Sequence, residues 1–251
     1  MILCPSCQSI KIVKNGKTYY GKQNHKCKDC GRQFVLNNRH YIKQGQREMI
    51  RKALNERISL LGICRVFSVS LPWLLDFAES VWKAVPMDIG LSESWLKKLR
   101  PKKAQLIVLQ LDEAWSFVDN KSQKRWIWVA FDPVNRLVVA FHIGNRGKES
   151  AKALWRNIPA GYKHKCFFAT DSWDPYKAVI PTKRHVEGKA FTYIIEGFWT
   201  GMRARVSRLV RKSLAFSKVS RNHFLAIRYY FYQFNLASLH RIQNQAVILT
   251  S

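Results

Sequence analysis

Between residues 104 and 171 the apolar residues change spacing in a way that leaves few folds open. Three runs, QLIVLQLDEAWSFV, KRWIWVAFDP and RLVVAFHIG, are rich in β-branched and aromatic residues and are divided by the polar segments DNKSQ and PVN. They predict three closely joined strands, an antiparallel meander. GKESAKALWRNIP then carries helical spacing, and KCFFATDSW holds a short apolar run that predicts a buried strand ending at Asp171. Two helical stretches complete the chain, one containing Glu196 and one reading RNHFLAIRYYFYQFNLASLH.

The acids in this region stand out against the composition. The chain has 251 residues with 43 Lys plus Arg against 16 Asp plus Glu, a formal net charge of +27. Asp112 ends the first apolar run, Asp171 ends the fourth, and Glu196 sits in a stretch loaded with arginine. Acids embedded in apolar segments of so basic a chain point to chemistry rather than solvation. The charge itself attracts phosphate backbones, so double-stranded DNA or another nucleic acid is the expected partner. A 47% hydrophobic content is ample for a core and disfavours a disordered chain. No stretch reaches the roughly 18 apolar residues of a membrane span, and the amino terminus lacks a basic-then-apolar leader. The expectation is a cytoplasmic, nucleoid-associated protein without a membrane partner.

Upstream, Cys4, Cys7, Cys27 and Cys30 form CPSC and CKDC knuckles across a polar loop. Two such knuckles set four thiolates at the corners of a tetrahedron, the closed geometry of structural Zn2+. A reducing compartment disfavours the disulfide alternative. Cys64 and Cys166 lie in apolar surroundings and read as small buried hydrophobes. From Gly45 the helical spacing breaks at FSVS and restarts at Ser70, with Ser59 and Ser70 placed as N-caps and Pro72 near a helix start. This pattern fits a helix-turn-helix with a recognition helix from about Ser70 to Lys83, or an ordinary helical hairpin whose Leu71, Trp73, Leu74 and Phe77 pack inward. The expected boundaries are a zinc ribbon over 1–40, the helix-turn-helix over 45–85, a linker over 86–103 and a catalytic domain over 104–251.

Three antiparallel strands, a helix and a further strand is the order at the start of the ribonuclease H-like fold, where the first and fourth strands lie side by side. That adjacency brings Asp112 and Asp171 together, a costly arrangement unless a cation lies between them. LDEAW, RWIWVAFD, TDSW, IIEGFW and RKSLAFSK, together with the knuckles and the helical pair, resemble the transposases of the insertion-sequence IS-one family, which are DDE enzymes with such a core. The resemblance covers most of the chain. It implies an α+β multi-domain protein with an amino-terminal zinc ribbon, a helix-turn-helix and a carboxy-terminal ribonuclease H-like α/β catalytic domain. It further implies Asp112, Asp171 and Glu196 as ligands of catalytic Mg2+ or Mn2+. Positions 172 to 195, 24 residues, separate Asp171 from Glu196, the short spacing of that family. Seven residues turn a helix by about 700 degrees, so Arg203 shares the face of Glu196, where the family places a basic residue. Gly197, Phe198, Trp199, Thr200 and Gly201 depart from the polar stretch usual there, and two interior glycines weaken a helix by about 1 kcal/mol each.

Other acids have local explanations. Alternation sends Glu113 to the opposite face from Asp112, Asp132 sits at a proline-containing turn, and Asp174 precedes Pro175 as a helix N-cap. His142, His164 and His185 have no partner at a ligand spacing. Trp115 and Trp173 read either as base-stacking surfaces or as walls of the site. Arg205, Arg208, Arg211 and Lys212, with Arg203, form a run without acidic counterweights that is expected to track DNA. Two functions follow: a transposase that binds terminal inverted repeats, cleaves and joins strands, and works as a homo-oligomer, or a catalytically silent regulator derived from one.

Overall fold

The computed structural model describes residues 2–36, 42–99, 107–209 and 216–248, in two compact units, residues 1–47 and 48–251. The first unit is a three-stranded antiparallel sheet, β1 (Ile12–Lys17), β2 (Gln23–Cys27) and β3 (Gln33–Val35), in the order β1-β2-β3. Among its described residues those buried are Cys4, Cys27 and His25, too few to make an apolar core. A sheet this small needs a staple. The residue after each knuckle takes a left-handed conformation, Gln8 at φ 61° and Gly31 at φ 72°, which curls the chain around the thiols.

Helix α1 (Gln44–Ala53) runs across the boundary, and α2 (Leu60–Phe67) and α3 (Leu71–Lys83) follow in the second unit. Ser59 Oγ accepts the Gly62 N–H at 3.0 Å and Ser70 Oγ accepts the Trp73 N–H at 3.4 Å, so both serines cap as expected. Ser68, at φ 51°, ends α2, and the two helices meet at 112°, within the range of a helix-turn-helix. No single described helix is long and apolar enough to cross a membrane.

The described part of the expected linker is built into the fold. It carries α4 (Glu93–Lys98), and Leu91 and Leu99 are buried with Leu137 and Leu239. The composition change there marks a switch of secondary structure rather than a free connection.

Strands β4 (Val108–Val118), β5 (Asn120–Asp132) and β6 (Leu137–Gly144) form the antiparallel meander. Helices α5 (Lys148–Asn157) and α6 (Ala160–Lys163) lead to β7 (Phe167–Thr170), which runs parallel to β4. After α7 (Asp174–Lys177), β8 (His185–Glu187) adds in parallel, giving the order β6-β5-β4-β7-β8. Helices α8 (Tyr193–Arg205) and α9 (Ser220–Ile248) follow. Ile127 to Phe131 are all buried because both sheet faces are covered. One face packs on α8 and α9 through Val129, Phe131, Phe198 and Phe231; the other packs on α5 through Leu109, Leu111, Leu154 and Phe168.

Two local expectations need correction. DNKSQ is mostly strand: β5 starts at Asn120, because a bulge after Phe117 and a left-handed Asp119, φ 66°, reverse the chain sooner. Asp174 is the first residue of α7 rather than its cap, and its carboxylate pairs with Lys177 at 3.3 Å.

Candidate active site

Period-two alternation along β4 sends Gln110, Asp112 and Ser116 toward α8 and α9, and Leu109, Leu111 and Glu113 toward α5. The last paired residues of β4 and β7 are Gln110 and Ala169, so two residues further on Asp112 and Asp171 lie at the same level of the two parallel strands. Asp171 follows the end of β7, whereas Asp112 does not end its strand as the sequence predicted: it pairs with Val129 and β4 continues to Val118, because β5 extends alongside it. Asp112 is held at both oxygens: Oδ1 accepts the Glu113 N–H at 2.8 Å and Oδ2 accepts Trp199 Nε1–H at 2.9 Å. Burial pushes its carboxyl up to about 7, and the charges of Glu113 and Asp171 push the same way. Asp171 Oδ1 accepts the Trp173 N–H at 3.1 Å.

Helix α8 is fixed to β4 by Gln110, whose Nε2 donates to the Phe191 carbonyl at 2.7 Å while its Oε1 accepts the Ile195 N–H at 2.8 Å. Thr192 supplies no side-chain cap, so Gln110 serves one of the helix's open N–H groups from across the sheet. The helix runs unbroken through Gly197 and Gly201. Buried Ile195, Phe198, Trp199 and Met202 account for this, since each large apolar side chain contributes about 1.5 to 3 kcal/mol on burial, against about 1 kcal/mol lost per glycine. The opposite face is exposed and carries Glu196, Gly197, Thr200, Gly201 and Arg203.

Glu196 thus stands one turn before Trp199, on the helix that touches Asp112. Its side chain is exposed, and the three carboxylates are not drawn into a single ligand sphere. Among the described residues, the group that does converge is Cys4, Cys7, Cys27 and Cys30, whose sulfurs all lie within 4.8 Å of one another. All four are free thiols.

On the α5 side, Glu113 is buried and engaged. Arg146 Nε donates to its Oε1 at 2.9 Å and Tyr176 Oη–H donates to its Oε2 at 2.8 Å. The Arg146 guanidinium lies 4.5 Å from the Trp126 ring centre and 4.2 Å from that of Trp173. Trp173 is partly buried and packs under an arginine, as a wall of the site.

The expected DNA-tracking run divides. Arg203 is exposed, and Arg205 forms a surface pair with Glu56 at 3.2 Å. Arg208 is turned inward, donating to Ser217 Oγ at 3.1 Å and stacking 4.8 Å from the Trp82 ring centre, with burial lowering its pKa to about 10. Arg211 and Lys212 lie outside the described residues. In the candidate recognition helix α3, Leu74, Ala78 and Trp82 are buried, and Glu79 pairs with Lys83 and Arg221.

Gln110, Trp199, Arg146 and Tyr176 went unread as site residues. Gln110 lies two residues before Asp112 on the same strand face, and Trp199 one turn after Glu196, so period and pitch single out these two. Arg146 and Tyr176 come from other elements and had no such signal.

A family model described as IS1 transposase matches residues 105–235, and one described as InsA N-terminal domain matches residues 1–31. The chain is 34% identical over 125 residues to insertion element IS1 protein InsB of Shigella flexneri, covering 50% of this chain and 94% of that one. It is 33% identical over 115 residues to iso-IS1n protein InsB of Shigella dysenteriae, covering 45% and 84% respectively. Against IS1 4 protein InsB of Escherichia coli K12 it is 30% identical over 138 residues, 55% of this chain and 81% of that relative.

Proposed function

The chain belongs to the IS1 transposase family, and from that premise we propose that it binds the terminal inverted repeats of its own mobile element, hydrolyses a phosphodiester bond there and joins the freed 3′ hydroxyl to target DNA. The observation that carries this reading is the placement of Asp112, within β4, and Asp171, just past the end of β7, at one level of adjacent parallel strands, with the Glu196 helix bonded to Asp112 through Trp199. The strand order supports a ribonuclease H-like core.

A buried carboxyl whose ionisation is opposed by burial and by a second carboxylate suits a cation, and an all-oxygen donor set suits a hard one. Asp112, Asp171 and Glu196 would hold Mg2+ or Mn2+, which supplies activation of the attacking oxygen and stabilisation of the leaving oxygen. Trp199 keeps Asp112 in one orientation. Gln110 fixes the start of the helix that carries Glu196, and Arg203, two turns beyond it, holds a backbone phosphate. The four amino-terminal thiolates take one Zn2+ and stabilise the ribbon, which with α2 and α3 recognises the element's ends. Bringing two ends together requires a homo-oligomer. The working location is the cytosol, on DNA.

One observation favours the second reading, a DNA-binding regulator without catalysis: Glu196 is exposed, and among the described residues Asp112, Asp171 and Glu196 do not form a group within common ligand reach. The test uses a plasmid carrying the DNA that flanks the coding region on both sides. The transposase reading expects Mn2+-dependent strand breaks with 3′ hydroxyls at the flanks, and Arg203→Ala to lower cleavage at least tenfold more than it lowers binding. Tight, end-specific binding with no cleavage under either cation would favour the regulator.

A further inference from the structure

We propose that Arg146 is a DNA-phosphate anchor beside Asp171; the inference rests on the transposase reading for its polymer, but not on strand cleavage. Arg146 lies in the loop between β6 and α5, and three contacts fix its guanidinium. Its central carbon lies 4.5 Å from the Trp126 ring centre and 4.2 Å from that of Trp173, so two aromatic rings hold it in place. The 2.9 Å bond from Nε to Glu113 sets which edge is turned inward.

The inner edge is rigidly seated. The Glu113 side chain is 1% exposed, and its second oxygen is taken by Tyr176, itself fully buried. The outer edge is open. The Arg146 side chain is 38% exposed, and among the described residues its Nη groups form no hydrogen bond, although they carry four of the five guanidinium N–H donors.

A planar, oriented donor edge at the surface of a chain with net charge +27 matches a phosphodiester, which arginine can engage with two parallel hydrogen bonds. Satisfying Glu113 alone would not need this construction, because a single donor does so. The position is also specific: the ring that stacks under Arg146 belongs to Trp173, whose backbone N–H holds Asp171 Oδ1 at 3.1 Å. A phosphate on the outer edge would therefore lie next to the carboxylate proposed to act on the strand.

The test measures binding of the zinc-loaded full chain to a fluorescent duplex of the flanking DNA across a salt series, with melting temperature recorded in parallel. Arg146→Gln is expected to reduce the slope of log affinity against log salt by about one. Arg146→Lys should keep the slope, because the charge remains, yet lower cleavage about tenfold, because the fork is lost. Since Arg146→Gln leaves a buried acid unpaired, the double variant E113Q/R146Q provides the same slope reading without that strain. Tyr176→Phe loosens Glu113 from the other side and should leave the slope at its wild-type value. A wild-type slope in both glutamine variants would overturn the proposal. So would an equal loss in Tyr176→Phe, which would make the effect a general loosening. Wild-type protein that binds but never cleaves would sink the transposase reading while leaving the slope comparison in force.

Discussion

Trp199 Nε1 donates to Asp112 Oδ2 at 2.9 Å, joining the first strand of the meander to the helix that carries Glu196. The bond favours the ionised form of a carboxyl that burial pushes toward the neutral one. Trp199→Phe keeps the apolar contact and removes the donor. Cleavage should fall about tenfold, with about 1 kcal/mol or slightly more lost in stability. Single-turnover cleavage alongside denaturant unfolding measures both, and unaltered cleavage would show that Asp112 needs no such support.

His223 gives the fold a defined acid sensitivity. It is buried between Ser116 Oγ at 2.9 Å and Ser217 Oγ at 3.2 Å, and burial, with the charges of Arg208 and Arg125, lowers its pKa to about 4. The unfolded chain takes up this proton near pH 6.5 and the folded chain only near 4. The histidine's contribution is thus fully present above pH 6.5 and is lost as the pH falls toward 4, by about 3 kcal/mol in all. His223→Asn should flatten that part of the urea-unfolding profile. A wild-type slope in the variant would assign the acid sensitivity to other groups.

Gly197 and Gly201 lie on the exposed face of α8, where an added Cβ meets nothing within 4 Å. Alanine at either position should raise stability by about 1 kcal/mol. If DNA lies along this face beside Glu196, the same substitutions lower cleavage while the fold gains stability. Increased stability with unchanged cleavage would mean that the backbone of α8 is not closely approached.

The ribbon has Cys4 and Cys27 where an apolar core would be, so its folding should depend on metal. Elemental analysis should find one zinc per chain, and Cys27→Ser should lose it together with end-specific binding. Non-specific DNA binding should survive, because most of the basic charge lies elsewhere. Metal-free protein with an intact amino-terminal sheet would contradict this.

Much of this architecture was legible along the chain because it is local. The strands, the serine caps and the two knuckles follow from alternation, turn residues and spacing. What escaped depends on elements that meet only in three dimensions. Arg146 and Tyr176 reach Glu113 from a loop and from α7, and no periodicity links residues 113, 146 and 176. Arg208 looked like one more cation in a basic run, yet stacking on Trp82 and the bond to Ser217 turn it inward. The packing of the segment around α4 is illegible for a related reason: Leu91 and Leu99 look isolated in sequence, and their partners Leu137 and Leu239 are far along the chain.

The most direct test of the central claim is cleavage of the flanking-DNA plasmid by Asp112→Asn and Asp171→Asn in Mg2+ and in Mn2+, with binding and melting measured on the same preparations. Each substitution removes a proposed ligand charge and nearly preserves shape. Folding raises the Asp112 pKa from its ordinary value to about 7, so ionised Asp112 opposes folding increasingly as the pH rises through that range. At pH 8, Asp112→Asn should therefore melt at or above the wild-type temperature. The expected result is two folded proteins that bind the element's ends with nearly wild-type affinity and break no strands; cleavage by either one at the wild-type rate would contradict the assignment of the active site.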